Sequence, residues 1–200
     1  MEIIKLELGN NFTSNCYILI KEKECVVIDP GFEDSKLYNY LSNKDLNVTK
    51  IILTHGHFDH WGGLRKLRTL FPKAQLYASS LDYMWYQVGP NNYFNYEPTI
   101  DVDLIGKDEL ILFDEKIKVI KTPGHSSGSV SLYFNKTLIS GDVLFFESIG
   151  RTDLLEGNTN TLFKSIQNLY KLPLDTNVLP GHGVNTTIKH ERVHNPFIKG

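Results

Sequence analysis

Four side chains able to bind a metal ion fall within six residues of this chain. They are His55, His57, Asp59 and His60, in the block Thr54-His55-Gly56-His57-Phe58-Asp59-His60-Trp61-Gly62-Gly63. The block follows a short apolar run, Lys50-Ile51-Ile52-Leu53, which reads as a strand. In an extended stretch, positions two apart point the same way, so His55 and His57 are set to grip one ion. The chain must then turn, and Asp59 and His60 face a second ion beside the first. Gly62 and Gly63 permit a tight approach as the next helix begins.

Three later pieces share this character, a ligand-type residue at a strand end flanked by Gly. They are Thr122-Pro123-Gly124-His125, Ser140-Gly141-Asp142 and Leu179-Pro180-Gly181-His182-Gly183. A lone His is ordinarily a satisfied core or surface imidazole. Here five of the seven histidines lie in these loops together with two Asp. Such a set reads as a metal centre, and His/Asp donors accept zinc, iron or manganese.

The elements that must position these loops are legible from periodicity. Strand patterns cover residues 2–8, 15–21 and 24–28, ending in the turn Asp29-Pro30-Gly31. Leu37, Tyr40 and Leu41 recur at helical spacing, and so do Leu64, Leu67, Leu70 and Phe71. Residues 79–106 read as irregular and aromatic. Strands then fit 109–113, 116–121, 129–134 and 137–140, with a helix over 159–171, a strand at 176–179 and a short helix ending near Asn195-Pro196. Each half is a run of strands followed by helix and strand, and no biased linker divides them. Residues 1–200 therefore read as one domain, with two packed sheets and helices outside both.

Composition narrows the function classes. The chain has 200 residues and a net charge of −2, which leaves no basic footprint for nucleic acid. No apolar run is long enough to span a bilayer, and the charged, alternating start is not a secretory segment. Cys16 and Cys25 each sit in a strand-like run and read as buried thiols in a reducing, cytoplasmic setting.

The H-x-H-x-D-H block with its later His, Asp and His resembles the metallo-β-lactamase superfamily over essentially the whole chain. The resemblance implies an α/β fold, a four-layer αββα sandwich of two mixed β-sheets flanked by helices. It implies that His55, His57 and His125 hold a first metal, that Asp59, His60 and His182 hold a second, and that Asp142 bridges the two. Asp59 and Asp142 are the catalytic carboxylates of this set. Two divalent ions, zinc foremost, would carry more charge than Asp59, Asp142 and a bridging hydroxide return. The cluster would then polarise a carbonyl and lower the pKa of its water from about 15.7 to about 7. An Asp at the bridging position, where some β-lactamases carry Cys, points away from antibiotic hydrolysis.

Three stretches look most like the short bacterial glyoxalase II-like hydrolases, relatives of hydroxyacylglutathione hydrolase without its C-terminal helical domain. They are Gly141 through Asp153, Leu179 through Gly183, and Thr187 to Phe197. A thioester substrate such as a hydroxyacylglutathione is the implied function, with no nucleic-acid or membrane partner. The resemblance leaves the glutathione pocket unassigned. A Lys and a Tyr of the full-length enzyme are matched by Arg151 and Asp153, and a Tyr after the last His by Val184. Gly150-Arg151-Thr152-Asp153 also resembles the persulfide dioxygenases, which hold one iron, so that activity is the alternative. A non-catalytic metal-binding or nucleic-acid-processing module is the reading from outside the enzymes.

Arg151 either takes a substrate carboxylate or pairs with Asp153 or Glu156 to brace its loop. The aromatic stretch from Tyr83 to Tyr96 either pads the core or walls the pocket, which makes Tyr86 and Tyr93 substrate candidates. Asp29 is either a turn residue or an acceptor behind a ligand His, and Asp153 is read as a similar outer partner. His190-Glu191-Arg192-Val193-His194 matches the zinc-protease pattern H-E-x-x-H by coincidence, because Pro196 stops its helix at once.

Overall fold

The computed structural model describes residues 1–88 and 96–200, in two compact units, Met1–Leu104 and Ile105–Gly200. Each is built on a six-stranded mixed sheet.

In the first unit, β1 (Glu2–Gly9), β2 (Thr13–Lys21) and β3 (Glu24–Ile28) form an antiparallel meander. Beyond β3 the sheet becomes parallel through β4 (Asn47–Ile52), β5 (Gln75–Ala78) and β6 (Val102–Asp103). Parallel neighbours need crossovers, and helices supply them. Helix α1 (Ser35–Asn43) joins β3 to β4, started by Asp34, whose carboxylate accepts the Lys36 N–H at 2.9 Å. It buries Leu37 and Leu41 against the sheet residues Cys16, Ile18, Cys25, Val27 and Ile51. Two short helices, α2 (Phe58–Trp61) and α3 (Leu64–Leu70), join β4 to β5.

The segment expected to be irregular is partly ordered. It holds a 3-10 turn (Ser80–Asp82), helix α4 (Tyr83–Val88) and strand β6. Ser79 starts the turn by accepting the Leu81 N–H at 3.3 Å. A two-residue strand and a six-residue helix are too short for either period to register.

In the second unit, β7 (Glu109–Leu112), β8 (Glu115–Lys121), β9 (Val130–Phe134) and β10 (Thr137–Gly141) run antiparallel. Helix α5 (Thr159–Leu169), capped by Asn158, then crosses to β13 (Asn177–Pro180), which pairs parallel with β10. The β11 (Leu144–Phe145) and β12 (Ser148–Ile149) hairpin follows β10. Strand β14 (Thr186–Thr187) completes the main sheet, and α6 (Ile188–His194) closes the chain. Leu162, Ile166 and Leu169 of α5 pack on Leu138, Val178 and Ile188. Among the described residues no helix is long and apolar enough to cross a membrane.

Both cysteines are free and buried in the first unit. Burial pushes the Cys25 thiol up to about 12 and Cys16 well above its ordinary value, so neither is a thiolate near neutral pH. Iodoacetamide is therefore expected to leave both unmodified in the native protein and to label two thiols per chain in denaturant. Rapid labelling of the folded protein would refute that packing.

Candidate metal centre

The ligand block lies where β4 ends. Leu53 to His57 continue past the strand, and Asp59 and His60 ride the single turn of α2. The His55 and His57 rings stand edge to face with centroids 4.9 Å apart, and His55 and His60 are 4.2 Å apart. All four side chains are buried.

Behind them, Asp29 organises the imidazoles. Its Oδ1 accepts the Thr54 N–H at 2.8 Å and its Oδ2 accepts the Thr54 hydroxyl at 2.7 Å. The same Oδ2 lies 3.0 Å from His60 Nδ1. A carboxylate only accepts, so His60 Nδ1 carries a proton and Nε2 presents its lone pair. The Thr54 hydroxyl, committed to Asp29, must accept from His55 Nδ1 at 3.0 Å, and this fixes the same tautomer on His55. One donor atom each of Asp29, His55 and His60 lies within 4.8 Å of the others. Since both Asp29 oxygens are engaged with Thr54 and His60, Asp29 is an outer acceptor here.

The second unit carries the other loops. His125 precedes β9, Asp142 follows β10 and His182 follows β13. His125 Nδ1 is 2.8 Å from the Arg151 carbonyl, which again protonates Nδ1 and frees Nε2. Gly150 makes this return of the loop possible. A Cβ there would stand 1.9 Å from the Asp142 carbonyl oxygen. Asp142 Oδ2 faces His125 Nε2 at 3.5 Å and His182 Nε2 at 3.2 Å. In the first unit, Asp59 Oδ2 faces His60 Nε2 at 3.4 Å.

These separations test whether the residues fit a metal. Two donors about 2.0–2.2 Å from one tetrahedral ion stand about 3.3–3.6 Å apart. A charged hydrogen bond would be shorter, about 2.7–2.9 Å. For His60 and His125 the nitrogen facing the carboxylate is a lone pair, so two acceptors face each other. A cation between them turns that repulsion into attraction. The donor sets fit.

Arg151 grips Asp153 through Nε–Oδ1 at 2.7 Å and Nη2–Oδ2 at 2.8 Å. That guanidinium holds the exposed Asp153 carboxyl down at about 2. Tyr86 is buried and packs on Trp61 at 5.9 Å, inside the first unit's core. Tyr93 lies outside the described residues. The Glu191 carboxylate of the H-E-x-x-H pattern is buried and accepts from Thr186 Oγ1, the Glu147 N–H and Asn195 Nδ2 at 2.6, 3.0 and 2.9 Å. It braces the C-terminal helix. Two supports escaped sequence reasoning, the Thr54 hydroxyl and the Arg151 carbonyl. Thr54 precedes the first His directly, whereas a backbone carbonyl leaves no trace in residue identity.

The family model described as the Metallo-beta-lactamase superfamily matches residues 9–182, and the chain belongs to that superfamily and has its fold. It is similar to the probable metallo-hydrolase YqgX of Bacillus subtilis, 39% identical over 94% of this chain and 93% of that protein. It is similar to the hydroxyacylglutathione hydrolase GloC of Haemophilus influenzae, 33% identical over 94% and 93%. Among solved structures, that of BLEG-1, described as a B3 metallo-beta-lactamase, matches with a TM-score of 0.89 at 37% identity over the whole of both chains. That of TTHA1623 in a di-iron-bound form matches with a TM-score of 0.86 at 33% identity, over 98% of this chain and all of that one. The chain is thus a member of a metallo-hydrolase superfamily, with His and Asp clusters capable of holding metal ions.

Proposed function

We propose that the protein is a cytoplasmic, binuclear metal-dependent thioester hydrolase acting on a small substrate such as a hydroxyacylglutathione. In this reading His55, His57 and His125 hold one ion, Asp59, His60 and His182 hold the other, and Asp142 serves both. The observation that carries the reading is Asp142, whose single Oδ2 faces two histidine nitrogens, His125 Nε2 at 3.5 Å and His182 Nε2 at 3.2 Å. The likeness to a hydroxyacylglutathione hydrolase over most of both chains supports the substrate class. The di-iron form of a neighbour supports two metals, and zinc, iron and manganese all match the donors.

When bound, two such ions would supply Lewis acidity to a carbonyl oxygen and make water a nucleophile near neutral pH. The protein's own part is preorganisation. Asp29, Thr54 and the Arg151 carbonyl hold His60, His55 and His125 in the tautomer that offers Nε2. No thiol takes part, because both cysteines are buried and protonated.

The reading is tested by comparing metal-loaded protein on a hydroxyacylglutathione, a small neutral thioester and a β-lactam. Thioesters should be cleaved faster than the β-lactam by orders of magnitude. A preference for the β-lactam, as the description of BLEG-1 would suggest, overturns the substrate class. Arg151→Ala belongs in the same assay. With the guanidinium engaged by Asp153, the substitution should change KM for the acidic and the neutral thioester by the same small factor. A rise of roughly tenfold or more confined to the acidic substrate would show that Arg151 leaves Asp153 to bind a carboxylate.

A further inference from the structure

Gly56 sits between His55 and His57, and its peptide groups are pinned on both sides. Its N–H donates to Asp82 Oδ2 at 2.7 Å, and its carbonyl accepts from Trp61 Nε1 at 2.9 Å. A Cβ at Gly56 would stand 2.7 Å from the Asp82 Cβ and 2.8 Å from the Trp85 Cβ. The 3-10 turn and α4 therefore press directly on this peptide, and only Gly admits them. Asp82 is fully buried. One turn on, the Trp85 ring meets His57 edge to face, with centroids 4.3 Å apart at 89°.

We propose that Asp82, with Trp85 beside it, is a positioning residue for metal binding. The Asp82 carboxylate fixes the peptide between the two histidines, and Trp85 fixes the His57 ring. Both imidazoles are then oriented before an ion arrives. Among the described residues Asp82 contributes no donor to the metal sets. It acts through Gly56, as outer partners of metal ligands commonly act through the ligand they hold. A charged acceptor suits the task, since a hydrogen bond to a carboxylate is shorter and about twice as strong as a neutral one. The inference rests on the reading that His55 and His57 bind metal, and it deepens it by adding a support 26 residues away in sequence.

The test is a metal titration of the full chain against a chromophoric chelator, with zinc, together with visible spectra of the cobalt-loaded protein. Asp82→Ala is expected to weaken at least one equivalent about 10–100-fold and to alter the cobalt spectrum. Asp82→Asn keeps an acceptor oxygen and should recover most of the affinity. Leu138→Ala, a core truncation in the second unit, serves as the control. It should lower the melting temperature and leave both readouts unchanged. If Asp82→Ala does not fold, Trp85→Leu carries the test, with weaker binding and an altered spectrum expected. A folded Asp82→Ala or Trp85→Leu with wild-type affinity and spectrum overturns the proposal. Failure of the wild type to bind any metal would instead overturn the reading beneath it.

Discussion

Asp29→Ala should give a protein that melts on the order of 10 °C lower and binds metal at least ~10–100-fold more weakly. The size of the effect follows from what the carboxylate holds. Its removal leaves the Thr54 N–H, the Thr54 hydroxyl and the His60 Nδ1–H without their acceptor in a buried setting. Each such donor costs about 1–3 kcal/mol, so roughly 2–9 kcal/mol is at stake if two or three stay unsatisfied. The metal effect arises separately, because His55 and His60 both lose the hydrogen-bond chain that fixes their tautomers. Calorimetry and a chelator competition measure the two effects. A melting shift under about 3 °C with unchanged metal affinity would mean that Asp29 only shapes its turn.

Asp142→Ala should have the larger effect on activity. Its carboxylate faces both His125 and His182. Losing it removes a donor from each proposed ion and also negative charge from the centre. Loss of metal affinity should exceed the ~10–100-fold typical of outer partners. Hydrolysis should fall by at least about 100-fold, the scale on which one preorganised electrostatic group acts. His182→Ala, in contrast, should keep one equivalent. The bridging role fails if Asp142→Ala retains two equivalents at wild-type affinity.

Much of this was legible in the sequence, for physical reasons that differ by element. The long strands announce themselves by alternation or apolar runs, and β1, β2, β3 and β8 were readable within a residue or two at each end. The loops that carry the candidate donors stood out because metal-competent residues beside Gly at strand ends are improbable as core. Periodicity carried nothing for β5, β6, β14 or the β11–β12 hairpin, which are two to four residues long. Nor could it show that Asp82 reaches back to Gly56, a contact made by the packing of α4 and its preceding turn. The Arg151 side chain drew attention in the sequence, yet the atom holding His125 is its carbonyl oxygen. Roles of that kind belong to the backbone path and appear only with the fold.

A binuclear centre is tested most plainly by elemental analysis of protein purified without chelator and saturated with zinc, iron or manganese, with thioester hydrolysis followed across the titration. Such a centre takes up two metal ions per chain, with activity that reaches its plateau only at the second equivalent. Saturation at one ion per chain, with full activity at that point, would contradict it.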